Sequence, residues 1–161
     1  MCCVQPFSIS RAARSLLADA LAYSDKFNPD VVLDFATLTG ACVVALGHEA
    51  AGIMGNDEEL IGELRRLGET VGERVWPLPL YPEYFGYLKS DWADMKNAGG
   101  RWGGPLTAGA FLQQFVPDKV SWAHLDIAGV GYYEKEHNGL SKGATGFGVA
   151  LVTAYLEGLL K

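Results

Sequence analysis

Long apolar runs are the first thing this chain lacks. None reaches the ~18 residues that a membrane-crossing helix needs, so no spanning segment is expected. Positive charge is scarce: 13 Lys and Arg stand against 19 Asp and Glu, a net charge of −6. Phosphate backbones are gripped by clustered cations, so a nucleic-acid surface is not expected either. The three cysteines, two of them adjacent, make no disulfide framework, which predicts a reducing, cytoplasmic setting. Cys42 reads as a small core residue rather than a reactive thiol. The start Met1-Cys2-Cys3-Val4-Gln5-Pro6 has neither the basic residues nor the apolar core of a signal peptide. Internal repeats and low-complexity linkers are missing too. The 161 residues read as one domain, long enough to bury roughly 70% of the unfolded surface. Residues 1–9 differ in character from the rest and are expected to be poorly ordered; the domain proper is 10–161.

What is present begins with Val31-Val32-Leu33-Asp34-Phe35-Ala36, after the turn signal Asn28-Pro29-Asp30. A short, nearly continuous apolar run with β-branched residues predicts a strand covered on both faces, placed centrally in its sheet. Thr37-Leu38-Thr39-Gly40 then turns the chain. Ligands of open α/β sheets sit at the carboxyl ends of strands, which makes this turn the first candidate site. Ser10 to Phe27 reads as a helix with a broad apolar face of Ala13, Leu16, Leu17, Ala20, Leu21 and Ala22, capped by Ser8 or Ser10. Ala41 to Leu46 reads as a short helix and Ala51 to Met54 as a strand. Asn56 with Glu59 predicts a capping box for the helix that Leu60, Ile61, Leu64, Leu67 and Val71 extend to Gly72. Arg74 to Leu80 reads as extended, Tyr84 to Lys89 as helical and Asp91 to Met95 as an edge strand. Leu106 to Phe115 is predicted helical after Pro105. Val120 to Ile127 is predicted as a strand, with Trp122 and His124 on different faces, and Phe147 to Leu160 as a closing helix. Strands alternating with helices give α/β: a mostly parallel central sheet with helices on both faces.

Four blocks, in order, carry a family likeness: LADALAY, DFATLTGACVVALG, NAGGRWGGPLTAGAFL and WAHLDIAG. Together they resemble the C-terminal catalytic domain of the leucyl aminopeptidases, the two-metal cytosol aminopeptidases, over about residues 14 to 155. The resemblance implies metal-dependent removal of N-terminal residues from peptides. It implies two divalent ions (zinc, manganese or magnesium), bicarbonate as proton shuttle, and assembly of trimers into hexamers. Thr37, Leu38 and Gly40 would line the substrate pocket. Ala128 and Gly131 would floor the pocket for the first side chain, with Gly131 leaving it roomy. Arg14 and the backbone of Leu38 would correspond to the bicarbonate site, making Arg14 the catalytic residue of the set.

The metal ligands are a different matter. The family carries much of that set on Asn-Thr-Asp-Ala-Glu-Gly-Arg, just before the LADALAY block. Here the same stretch reads Ser8-Ile9-Ser10-Arg11-Ala12-Ala13-Arg14. Only Arg14 matches; Ser10 and Ala12 stand where the ligand Asp and Glu would be. The remaining ligands and a catalytic Lys lie further upstream in the family. No metal ligand is therefore assigned, and the isolated chain is expected to be inactive. Two alternatives stay open: a non-catalytic pseudoenzyme or assembly subunit, and an anion- or peptide-binding module.

Each other candidate has an ordinary reading beside the functional one. His48-Glu49 lacks the second His of a zincin helix. His124 and Asp126, two apart on a strand, share a face, and His124 reads as a hydrogen-bonded core residue. His137 sits in a polar loop and reads as solvated. Asp34, inside an apolar strand, needs a partner, for which Asp19 is a candidate. Arg14 reads equally as an anion site near a helix start or as a surface Arg paired with a carboxylate. Gly99 to Gly104 lacks the Lys-Ser/Thr of a phosphate loop and reads as a tight turn under the following helix. Exposed aromatics between Tyr81 and Trp102 predict self-association.

Overall fold

The computed structural model describes residues 9–160. The atypical start and the capping roles given to Ser8 and Ser10 lie outside the described residues and side chains. The main sheet has four strands, β1 (Val31–Ala36), β2 (Ala51–Gly55), β3 (Val75–Pro77) and β4 (Ser121–Asp126), in the order β1-β4-β2-β3. The β1–β4 and β2–β3 pairings are parallel and β4–β2 is antiparallel, so the sheet is mostly parallel.

The helices are α1 (Ile9–Ser24), α2 (Gly40–Leu46), α3 (Glu58–Val71), the single turn α4 (Glu83–Gly86), α5 (Gly104–Gln113) and α6 (Val149–Leu159). A 3-10 turn, Asp25–Phe27, follows α1, and the loop after β4 carries two minor strands, β5 (Tyr132–Tyr133) and β6 (Gly143–Ala144). One sheet face packs Ile53, Ala123 and Leu125 on Leu60, Ile61 and Leu64 of α3 and Leu151 of α6. The other packs Trp122 on Ala18 and Leu21 of α1 and on Ala108, Phe111 and Leu112 of α5. Helices therefore cover both faces, as the alternation of elements predicts. Strand period two divides β1 accordingly: Val31, Leu33 and Phe35 join the first cluster, Val32 and Ala36 the second. Among the described residues no helix is long and apolar enough to cross a membrane.

Several expectations are corrected. Strand β1 is not central: among the described residues it pairs only with β4 and lies at the sheet edge. A two-sided apolar run reports that both faces are covered; it carries no signal about whether both edges are paired. The apolar face of α1 is narrower than expected, since Leu16 is 70% exposed while Ala18 and Leu21 are buried. The cap of α3 is Asp57, whose Oδ1 accepts from the N–H groups of Glu59 and Leu60. Asn56 instead docks β4, accepting from Trp122 N and donating to the Val120 carbonyl. Asp91 to Met95 is not a strand, because the Ser90 hydroxyl accepts from the N–H groups of Trp92 and Ala93 and turns the chain there. Trp122 and His124 share a face, both bonded to Asp34.

Candidate functional site

The candidate site forms where β1 and β4 end side by side, with Ala36 opposite Asp126 in register. Asp126 is fully buried and organises the turn that leaves β1. Its Oδ1 accepts from the backbone N–H of Leu38 (3.0 Å), Thr39 (3.3 Å) and Ala128 (3.2 Å), and its Oδ2 accepts from the Thr39 hydroxyl at 2.6 Å. The same Thr39 oxygen accepts from Cys42 N at 3.1 Å and so caps α2. One carboxylate thus ties together the two chain segments that carry all the predicted pocket residues. Charge-assisted bonds to backbone donors are among the stronger ones available to a buried acid.

Beside it, burial and then the Asp126 charge push the Cys42 thiol up to about 11. It is protonated at neutral pH and behaves as the small core residue expected. Asp34 finds partners other than the exposed Asp19. It accepts from Trp122 Nε1 at 2.7 Å and from His124 Nδ1 at 2.5 Å. His124, fully buried, is a hydrogen-bonded core residue as predicted.

The predicted pocket residues do not all face the same space. Thr37 and Gly40 are exposed, and a Cβ added at Gly40 would meet nothing within 4 Å. Leu38 is 1% exposed, with its side chain in the α1–α5 cluster and its N–H engaged by Asp126. Ala128 lines a cavity of about 690 Å³ with Val43, His48, Tyr132, Tyr133 and His137. Gly131 does not open that cavity: a Cβ there would lie 3.1 Å from the Ile127 carbonyl oxygen and 3.3 Å from its Cδ1. Arg14 is 7% exposed, not a surface residue, and its Nη1 donates to the Asn97 carbonyl at 2.7 Å. That bond ties the second turn of α1 to the loop before Gly99. The Gly-rich segment is a turn packed under α5, with Gly100 and Gly103 at positive φ and Gly103 serving as the N-cap.

Asp126 is the organising residue that motif reading passed over, having noted only that it shares a face with His124. Its signal was available: an acid ending an apolar strand needs donors, and a Thr-rich turn at the end of another strand can supply them.

Comparison with known proteins places the chain. Residues 10–153 match the cytosol aminopeptidase family, catalytic domain. The chain belongs to the cytosol aminopeptidase family. It is 56% identical over 146 residues to a probable cytosol aminopeptidase of Geotalea uraniireducens (strain Rf4), a match covering 91% of this chain and 29% of that protein. Against a probable cytosol aminopeptidase of Geobacter sulfurreducens (strain ATCC 51573 / DSM 12127 / PCA) it is 53% identical over 148 residues, covering 92% and 30%. A mutant of tomato leucine aminopeptidase superposes with a TM-score of 0.83 at 40% identity, over 89% of this chain and 27% of that one. The chain therefore spans a little under a third of these relatives' length.

The family is metal-dependent, and the residues described here do not fit a two-metal centre. Among them no three His, Cys, Asp or Glu side chains gather into a group able to hold an ion. Positions 10 and 12, where the resemblance calls for carboxylates, carry Ser and Ala.

Proposed function

We propose that this chain is the C-terminal part of a leucyl aminopeptidase catalytic domain, supplying the peptide-binding side of a site that removes N-terminal amino acids. By itself it is not a peptidase. The observation that carries this reading is the turn fixed by Asp126, which leaves Thr37 and Gly40 open at the strand ends while holding Ala128 alongside. Ground-state positioning of a peptide needs such a preformed rim; activation of water by a pair of ions needs carboxylates that positions 10 and 12 lack.

The resemblance gives Arg14 and the Leu38 backbone to bicarbonate. Both already serve protein acceptors, Asn97 and Asp126, so an anion would have to share or displace those bonds. The non-catalytic subunit remains the second reading, favoured by Ser10 and Ala12.

The test is hydrolysis of an amino-acid anilide by highly purified chain, with and without added Zn²⁺ or Mn²⁺. No metal-stimulated turnover is expected. Turnover that needs metal and survives Arg14→Ala would overturn both the proposed inactivity and the role given to Arg14.

A further inference from the structure

We propose that His48 and His137 together hold one divalent first-row transition-metal ion of the nitrogen-preferring kind, Zn²⁺, Ni²⁺ or Cu²⁺, with water filling its other positions. The proposal does not depend on the peptidase reading. Both imidazoles line the cavity beside Ala128, and their ring centres lie 6.0 Å apart at an interplanar angle of 64°. With metal–nitrogen bonds of about 2.0–2.1 Å, two imidazoles sharing an ion have centres roughly 5–6.5 Å apart, so the rings already stand at bridging distance.

Their polar neighbours are compatible with the tautomers that an ion needs. His48 Nδ1 lies 2.6 Å from the Gly129 carbonyl oxygen, which can only accept. That nitrogen carries the proton and Nε2 keeps a lone pair. His137 Nε2 lies 2.9 Å from Glu49 Oε1 and 3.2 Å from the Asn138 amide nitrogen; the tautomer with its proton on Nε2, toward the nearer carboxylate, leaves the lone pair on Nδ1. A metal-binding imidazole characteristically gives its other N–H to a carbonyl or a carboxylate. Here one ring has each kind of partner.

The frame is in place without an ion. The Tyr133 ring packs against both imidazoles, and its hydroxyl donates to the His48 carbonyl at 3.2 Å. The Asn138 amide donates to Glu49 Oε2 at 3.1 Å, fixing the carboxylate that orients His137. Gly129 lets its strand-end loop close on the His48 turn: a Cβ there would come within 2.2 Å of the Gly47 carbonyl oxygen. Glu134, Lys135 and Glu136 also line the cavity, a net negative charge that favours a dication. With two protein ligands rather than three, affinity should follow the usual order, Cu²⁺ above Ni²⁺ and Zn²⁺.

The composition makes the test clean. The sequence holds three His, and the third, His124, is fully buried on Asp34. Untagged chain carrying Cys2→Ser and Cys3→Ser, which removes competing thiols, is titrated with Ni²⁺ by calorimetry. One ion per chain is expected. His48→Ala and His137→Ala should each weaken binding at least about tenfold, with the double variant little worse than either single one. Glu49→Gln keeps both ligands and should still weaken binding several-fold through His137. Circular dichroism of each variant confirms that it is folded. Absence of Ni²⁺ uptake, single variants that bind as the parent does, or losses that simply add as for two independent imidazoles would each overturn the proposal.

Discussion

Asp126 shows how one side chain can set a site without touching a ligand. It satisfies three backbone donors and a hydroxyl from two different segments. Removing it leaves those donors buried and unpaired, which costs more than the bonds contributed. Asp126→Ala should therefore lower stability by roughly 3 kcal/mol or more. Asp126→Asn, which keeps acceptors on one side, should recover part of the loss. Urea denaturation of the two variants against the parent decides it; equal midpoints for all three would mean that the turn holds by other means. At this scale the sequence was legible unevenly. The Thr37–Gly40 turn and the core role of His124 could be read from residue type and spacing. The partners of Asp34 could not, because they lie 88 and 90 residues away from it and nothing local encodes such pairings.

Element boundaries follow the same logic. Helix α3 was visible in its apolar spacing and in Gly72, which indeed ends it in a left-handed conformation at φ 79°. Its start was misplaced by one residue because Asn56 and Asp57 are both good caps, and the choice was made by β4, which engages Asn56. The cap has a pH signature. The Ser121 hydroxyl, then the Leu60 N–H, hold the Asp57 carboxyl below its ordinary value. Its folded-state pKa is depressed, so the unfolded chain binds the proton more readily. The stabilisation is complete above the unfolded value of about 4 and is lost as pH falls through the folded one. Asp57→Ala should lower stability by about 1 kcal/mol at neutral pH. The difference between variant and parent should shrink as the pH is taken below about 4. Thermal melts across that range measure it, and a gap unchanged at pH 3 would rule out the carboxylate as the cap.

For the whole molecule, the question is what covers its exposed aromatic surface. Trp122 is fully buried and Tyr84 is half-buried. Others stay outside: Trp92 is 96% exposed and Trp102 72%, with Tyr81 and Tyr87 more than half exposed. The last four belong to the stretch from Tyr81 to Trp102, around the turn that Ser90 makes and the Gly-rich turn before α5. A monomer gains nothing by presenting so much aromatic surface to water, and aromatic residues are enriched where proteins meet. The cover could come from the remainder of a longer polypeptide or from further copies of this chain, and the family resemblance favours copies, as trimers or hexamers. Self-association of the isolated chain is therefore expected, with this stretch in the contact. Light scattering across a dilution series from micromolar concentration is the direct measurement. Trp92→Ser and Trp102→Ser, both at exposed positions that the fold does not need, should shift the mass toward the monomer while leaving the circular dichroism unchanged. A monomeric mass at every concentration would end the self-association hypothesis, and would count equally against a role for this chain as an assembly subunit.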